Sequence, residues 1–274
     1  MTVRATSRTL LSVHGRPEPR DDLLAIEEPL EIRVQAPGEA PVQIAVTMRT
    51  PGDDAELAIG FLVTEGLLTR REQLGTPAVR ELPVEGGVSN IATVRLTSAF
   101  DATRLKRNFY ATSSCGVCGK AALEHIYTTA PEIASGPIIG RSLLLGLPAT
   151  LREAQVTFEQ TGGLHATAAF DAEGHVLLVR EDVGRHNAMD KVIGRLFLDG
   201  KLPFSNGVLL VSGRASFELV QKAAMAAAPI VCAISAPSSL AVETAERVGM
   251  TLAGFLRPEG FNLYSRPERV DTSR

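Results

Sequence analysis

The chain has 274 residues, 45% of them hydrophobic and 22% charged, with a formal net charge of −3. That is enough apolar material for a packed core, and there is no basic excess that would point to nucleic acid as a partner. Three cysteines in this length do not make a disulfide framework, and the first residues lack the apolar stretch of a signal peptide. A cytoplasmic protein is expected, in a reducing compartment where a cysteine pair is more often catalytic or metal-binding than structural.

Residues 1–19 carry Arg4, Arg8 and Arg16 against Glu18 and read as a basic flexible tail. Alternation then puts Leu30, Ile32 and Val34 on one face and Val42, Ile44, Val46 and Met48 on another, joined by the turn-rich "APGEAP", which predicts a hairpin. "PGDDAELAIGFLVTEGLL" opens with acidic residues and continues with Leu57, Phe61, Val63 and Leu67 at helical spacing. Strands follow at Val79–Leu82 and Ile91–Leu96. Residues 20–110 therefore read as a small α+β subdomain.

From residue 111 to 274 the rhythm changes. "HVLLVRED", "GVLLVSG" and "IVCAIS" read as buried strands, each followed by a helix: "HNAMDKVIGRLFLDG", "SFELVQKAAMAA" and "SSLAVETAERVG". "MTLAGFLR" and "FNLYS" follow as strand, turn and strand. Strands alternating with helices predict an α/β core with a mixed sheet covered on both faces. The uncharged run from Ala223 to Val242 is about the length of a membrane span, but Pro229 and Pro237 interrupt it. It reads as helix end, buried strand and new helix start, so no membrane association is expected. Cys232 lies in the apolar "PIVCAIS" and reads as an inert core thiol.

The other two cysteines form "SSCGVCGK", with Cys115 and Cys118 at the start of a predicted helix. A closed zinc site needs four ligands, and the histidines His14, His125, His165, His175 and His186 form no H-x(3–5)-H pair. A zinc deaminase needs His-x-Glu. "TGGLHATAAF" supplies His165, but Thr167 stands where the Glu would be. A thiol at a helix N-terminus, beside Lys120, is instead favoured as thiolate. That suits attack on a donor persulfide or dithiol redox chemistry.

Two strand-to-helix elbows combine glycine, free N–H groups and a cation, which suits phosphate. One holds Gly184, Arg185, His186 and Asn187, the other Ser212, Gly213, Arg214 and Ser216. The plainer alternative pairs Arg185 and Arg214 with Glu181, Asp182 or Glu218, lets His186 cap its helix, and places Asp190 beside it on the helix surface.

Taken together, "SSCGVCGK", "TGGLHATA", "REDVGRHNAMDKVIG", "SGRASFELVQKA", "ISAPSSLAVETA" and "GFLRPEGFNLYS", in this order, resemble the FdhD/NarQ family of formate dehydrogenase accessory sulfurtransferases over residues 28–268. The resemblance implies a three-layer core similar to the cytidine deaminase fold. It also implies a sulfur carrier that takes sulfur from a cysteine desulfurase and passes it to the molybdenum (or tungsten) bis(guanine dinucleotide) cofactor before insertion into formate dehydrogenase. Cys115 is then the persulfide carrier and Cys118 its partner. The cofactor-contacting tail falls on Phe255, Leu256, Arg257, Pro258, Glu259 and Gly260. The two guanylates of the cofactor imply a homodimer, and no structural metal is expected. A non-catalytic cofactor chaperone and a zinc deaminase-like hydrolase are the alternatives.

Overall fold

A computed structural model of the chain describes residues 4–14, 16–81, 89–99 and 130–273. The boundary near residue 110, Cys115 and Cys118 lie outside the described residues.

Strands β1 (Ala5–His14) and β2 (Arg16–Ala25) pair antiparallel from Ala5↔Ala25 to His14↔Arg16. This corrects the expectation of a tail: the first described residues form a two-stranded ribbon. Arg4 fastens its base, donating from Nη2 to Asp53 Oδ2 at 2.5 Å.

Strands β3 (Glu28–Gln35), β4 (Val42–Arg49), β5 (Leu74–Glu81) and β6 (Ile91–Leu96) form a sheet in the order β4-β3-β6-β5. Leu30, Ile32 and Val34 are buried as expected, but on β4 Val46 and Met48 are 57% and 47% exposed. The cause is a register shift. Ile32 pairs with Ala45 and Arg33 with Gln43, so Ile44 is an extra residue and the alternation inverts beyond it.

Helix α1 (Asp54–Thr64) covers this sheet and packs on the second part of the chain. That part is built on strands β8 (His165–Asp171), β9 (Val176–Asp182), β10 (Gly207–Val211), β11 (Ile230–Ala233), β12 (Thr251–Arg257) and β13 (Gly260–Ser265), ordered β13-β12-β11-β10-β8-β9. Strands β10, β11 and β12 are mutually parallel, and the other pairings are antiparallel. Helices α4 (Arg185–Leu198), α5 (Phe217–Met225) and α6 (Ser239–Val248) cover one face together with α1. Helix α2 (Arg141–Ala154) covers the other, and the short α3 (Val156–Thr161) follows it. The short strands β7 (Ile139–Gly140) and β14 (Val270–Asp271) pair beside α2.

The central strands carry the three layers. Val208 and Leu210 face the α2 side, while Leu209 and Val211 face the α4–α6 side; Ile230 and Cys232 alternate with Val231 and Ala233 in the same way. Cys232 is fully buried, and desolvation pushes its thiol up to about 12. The α4–α6 side core includes Leu30, Ile32 and Leu57 as well as Leu209 and Val231. One core therefore spans both parts of the chain.

The tightest contact is the crossing of α1 and α4. A Cβ at Gly60 would lie 1.8 Å from the Asp190 carbonyl oxygen, and a Cβ at Gly194 would lie 1.9 Å from that of Glu56. Each helix backbone rests on the glycine of the other. Asp190 is consequently buried rather than on the helix surface, 2.9 Å from Lys222 Nζ and 2.8 Å from the Thr64 hydroxyl.

Gly60→Ala or Gly194→Ala is expected to destabilise by more than the ~1–3 kcal/mol typical of overpacking, because the obstacle is backbone. Gly146→Ala, in an exposed turn of α2 with open space around it, is expected to stabilise by roughly 0.5–1 kcal/mol. Urea denaturation of the three variants checks the contrast.

Candidate functional site at the carboxyl edge of the sheet

Strands β9, β10, β11 and β12 run in one direction, so their carboxyl ends open on one edge. Ligands of open α/β sheets bind at that edge. Three of these strands deliver a helix N-terminus there and the fourth turns into β13.

The loops are locked to one another by backbone hydrogen bonds. Ser235 N–H donates to the Gly213 carbonyl at 3.3 Å, Ser238 to Ala215 at 3.0 Å and Phe255 to Ser235 at 3.1 Å. Gly254 permits the last approach, since a Cβ there would meet Pro237 Cδ at 2.9 Å. Phe255 then adopts φ 54°, a region uncommon for a bulky side chain, and stands 40% exposed on the edge.

The alternative partners for the elbow arginines are occupied. Glu181 accepts the N–H groups of Thr157 and Phe158 at 3.0 and 2.7 Å. Asp182 pairs with Lys191 Nζ at 2.7 Å and accepts Gly184 N–H at 2.8 Å and Asn187 Nδ2 at 3.0 Å. Arg185 Nε, His186 Nε2 and Ser216 Oγ are buried atoms with no hydrogen-bond partner among the described residues. Ser216 occupies the N-cap of α5 without capping it through its side chain. His186 Nε2 lies 3.8 Å from Glu218 Oε2, an ion-pair distance too long for a hydrogen bond. The His186 imidazole, with the backbone N–H of Glu218 itself and the Ser216 hydroxyl nearby, holds the Glu218 carboxyl down at about 2 against the opposing effect of burial, so His186 and Ser216 both face Glu218. Arg214 and Arg257 are exposed and have no ion-pair partner among the described residues.

His165 begins β8 at the same edge, and a Cβ at Gly213 would lie 3.4 Å from its Nδ1. Burial, followed by the charges of Arg185 and His186, lowers its pKa below the ordinary 6.5, so the imidazole is neutral at pH 7. On the α2 side of the edge a groove of about 530 Å³ opens, bordered by Leu151, Gln155, Phe158, His165, Ser212 and Ile234.

The structure thus brings Arg185, His186, Gly213, Arg214 and Ser216 to one edge with the β12–β13 turn, where Arg257, Pro258, Glu259 and Gly260 lie. Leu256 is different: it is fully buried in the α2-side core, so its side chain is a packing residue rather than a ligand contact. The groove residues of α2 and α3 carry no motif in the sequence. The FdhD/NarQ family model matches residues 25–271. The chain belongs to the FdhD/NarQ family. Proteins named "Sulfur carrier protein FdhD" are similar throughout. That of Mycolicibacterium paratuberculosis is 48% identical over 276 residues, covering 98% of this chain and 100% of the relative. That of Saccharolobus solfataricus is 41% identical over 271 residues, with the same coverage. A crystal structure from Desulfotalea psychrophila, whose description proposes a formate dehydrogenase accessory protein, superposes with a TM-score of 0.75 at 23% identity, covering 98% of this chain and 100% of that one. FdhD/NarQ membership thus comes with a fold shared at low identity. Among the described residues, no helix is long and apolar enough to cross a membrane.

His165 is expected to titrate below 6.5 in an NMR pH series. Arg185→Gln, by removing a nearby positive charge, is expected to move that midpoint upward. An unmoved midpoint would show that the Arg185 charge does not contribute to it.

Proposed function

We propose that the protein is a sulfurtransferase acting as a persulfide carrier. It takes sulfur from a cysteine desulfurase and delivers it to a molybdenum bis(guanine dinucleotide) cofactor before that cofactor enters formate dehydrogenase. The observation that carries this reading is the convergence at the carboxyl edge of Arg185, whose Nε has no hydrogen-bond partner among the described residues, with the exposed Arg214 and Arg257. Donors without protein acceptors at converging helix N-termini suit a polyanion, and the substrate of this reading carries two pyrophosphates. The relatives' shared name supports sulfur as the cargo.

The sulfur step balances on the two cysteines. The Cys115 thiolate attacks the outer sulfur of the desulfurase persulfide, the desulfurase thiolate leaves, and Cys115 holds S–SH. Attack by the Cys118 thiolate on the inner sulfur then releases hydrosulfide and leaves a Cys115–Cys118 disulfide. The two electrons that reduce the sulfane sulfur come from the two thiols, and an external thiol resets the pair. Thr167 is 1% exposed inside the sheet, so β8 supplies no acid–base side chain beside His165. The three layers support a cytidine-deaminase-like ancestry of the core without deaminase chemistry. A two-fold dimer, one guanylate per subunit, fits the symmetry of the substrate.

After incubation with a cysteine desulfurase and cysteine, peptide mass spectrometry is expected to show one added sulfur on Cys115 or Cys118, lost on mild reduction. Zinc held by the pair, with no sulfur gained, overturns the reading. Cys115→Ala is expected to leave pyrophosphate binding unchanged and the client formate dehydrogenase inactive. Arg214→Ala is expected to do the converse to binding, weakening pyrophosphate by about 10-fold or more, as for a lost hydrogen bond to a charged group.

A further inference from the structure

The groove on the α2 side contains an amide that the fold does not use. Gln155 joins α2 to α3 and is 5% exposed. Its backbone N–H donates to Arg152 O at 3.2 Å, and its carbonyl accepts Glu159 N–H at 3.0 Å. Both main-chain groups are therefore occupied. Its side-chain amide has no hydrogen-bond partner among the described residues, and the residue borders the groove. The residue is almost wholly buried, yet its amide atoms are not sealed in the interior and open on the groove, where a ligand can meet their hydrogen bonds. The N-terminus of α3 offers nothing to a ligand, because Glu181 already accepts from Thr157 and Phe158.

The walls suit a flat ring. Leu151, Phe158 and Ile234 are apolar, and the Arg152 guanidinium lies 4.6 Å from the centroid of the Phe158 ring. The groove ends at His165 and Ser212, and His165 also borders the edge through Gly213. A ligand whose charge lies on the helix N-termini could therefore extend a ring over β8 into the groove.

We propose that this groove binds a planar heterocycle whose edge places a carbonyl next to an N–H, as in the 2-amino-4-oxopyrimidine edge shared by guanine and pterin. Gln155 meets that edge with its own carbonyl and NH2 in a paired hydrogen bond, and the Phe158–Arg152 stack walls the ring. The inference rests on the proposed function only in taking the ring to belong to the same substrate as the phosphates.

Binding of GMP by calorimetry and of pterin-6-carboxylate by its fluorescence tests this on the full chain. Gln155→Leu is expected to weaken at least one probe by about 10-fold or more, with inorganic pyrophosphate bound as before. Loss with GMP alone assigns the groove to the guanine, and loss with the pterin alone assigns it to the pterin. Loss with both assigns it to the shared edge. Failure of both probes to bind the unmodified protein, or unchanged binding to Gln155→Leu, overturns the proposal. Should Gln155→Leu unfold, NMR contacts between the Phe158 ring and bound probe in the unmodified protein decide, and their absence overturns it. Sulfur loading of Cys115 and Cys118, scored on the same preparation, separates the two readings. Loading without ring binding rejects the groove alone, and Gln155-dependent ring binding without loading rejects the sulfur carrier alone.

Discussion

The rest of the molecule depends on two helices crossing with no side chain between them. Gly60 and Gly194 each stand against the main chain of the opposite helix, near Asp190 and Glu56. At that distance the helices have one relative position, because any shift along either axis brings a side chain into backbone. The crossing joins the four-stranded sheet to the six-stranded one as a single core. It also aligns pairs that are far apart in sequence: Arg180 with Glu56 at 2.6 Å, Thr64 and Lys222 with Asp190, and Asn187 with the Met48 carbonyl at 2.7 Å.

The same crossing sets the electrostatics of the sheet edge. Asp182 is fully buried and takes four donors: Lys191, Gly184 N–H, Asn187 and, at 3.2 Å, Thr50 N–H from the end of β4. Arg49 is likewise buried, with its guanidinium on Asp54. A buried ion pair contributes little net stability, but losing one member costs about 3–5 kcal/mol. Such pairs fix geometry more than they add to stability. Asp182, Glu181 and Asp54 are satisfied inside the protein, and Arg214 and Arg257 are left over at the edge. The positive character of the edge is therefore built by the way the interior distributes its carboxylates.

Much of this was legible in the sequence. The alternation of strands and helices from residue 175 onward, the interruption of the Ala223–Val242 run and the helix after Pro51 follow from periodicity and punctuation, but the first of these strands, β9, lies at the sheet edge with Val176 and Leu177 exposed rather than buried. What escaped did so for physical reasons. The ribbon of residues 5–25 pairs short, polar, proline-containing stretches with no alternating face. The bulge at Ile44 inverts a pattern that otherwise reads as regular. Helix α2 contains Gly146 and Pro148, both helix-unfavourable, and β8 is alanine-rich, with Thr167 and Phe170 its only strand-favouring residues. At the site, Arg185, His186, Arg214 and Ser216 were marked by their strand-to-helix elbows. Gln155 and Phe158 were not, because a groove formed between segments leaves no local pattern. The burial of Leu256 shows the limit of carrying a stretch over whole: neighbouring residues on a strand face opposite ways.

The buried Cys232 has a consequence for sulfur traffic. Sulfane sulfur passes to any thiolate it can reach, so a protein that handles it risks losing its cargo to its own side chains. Cys232 stays protonated, with its thiol at about 12, and is sealed within the sheet. Of the three cysteines in the chain, the core removes one from exchange. That leaves Cys115 and Cys118 for the carrier role proposed above, with Cys232 withdrawn from competition for the cargo.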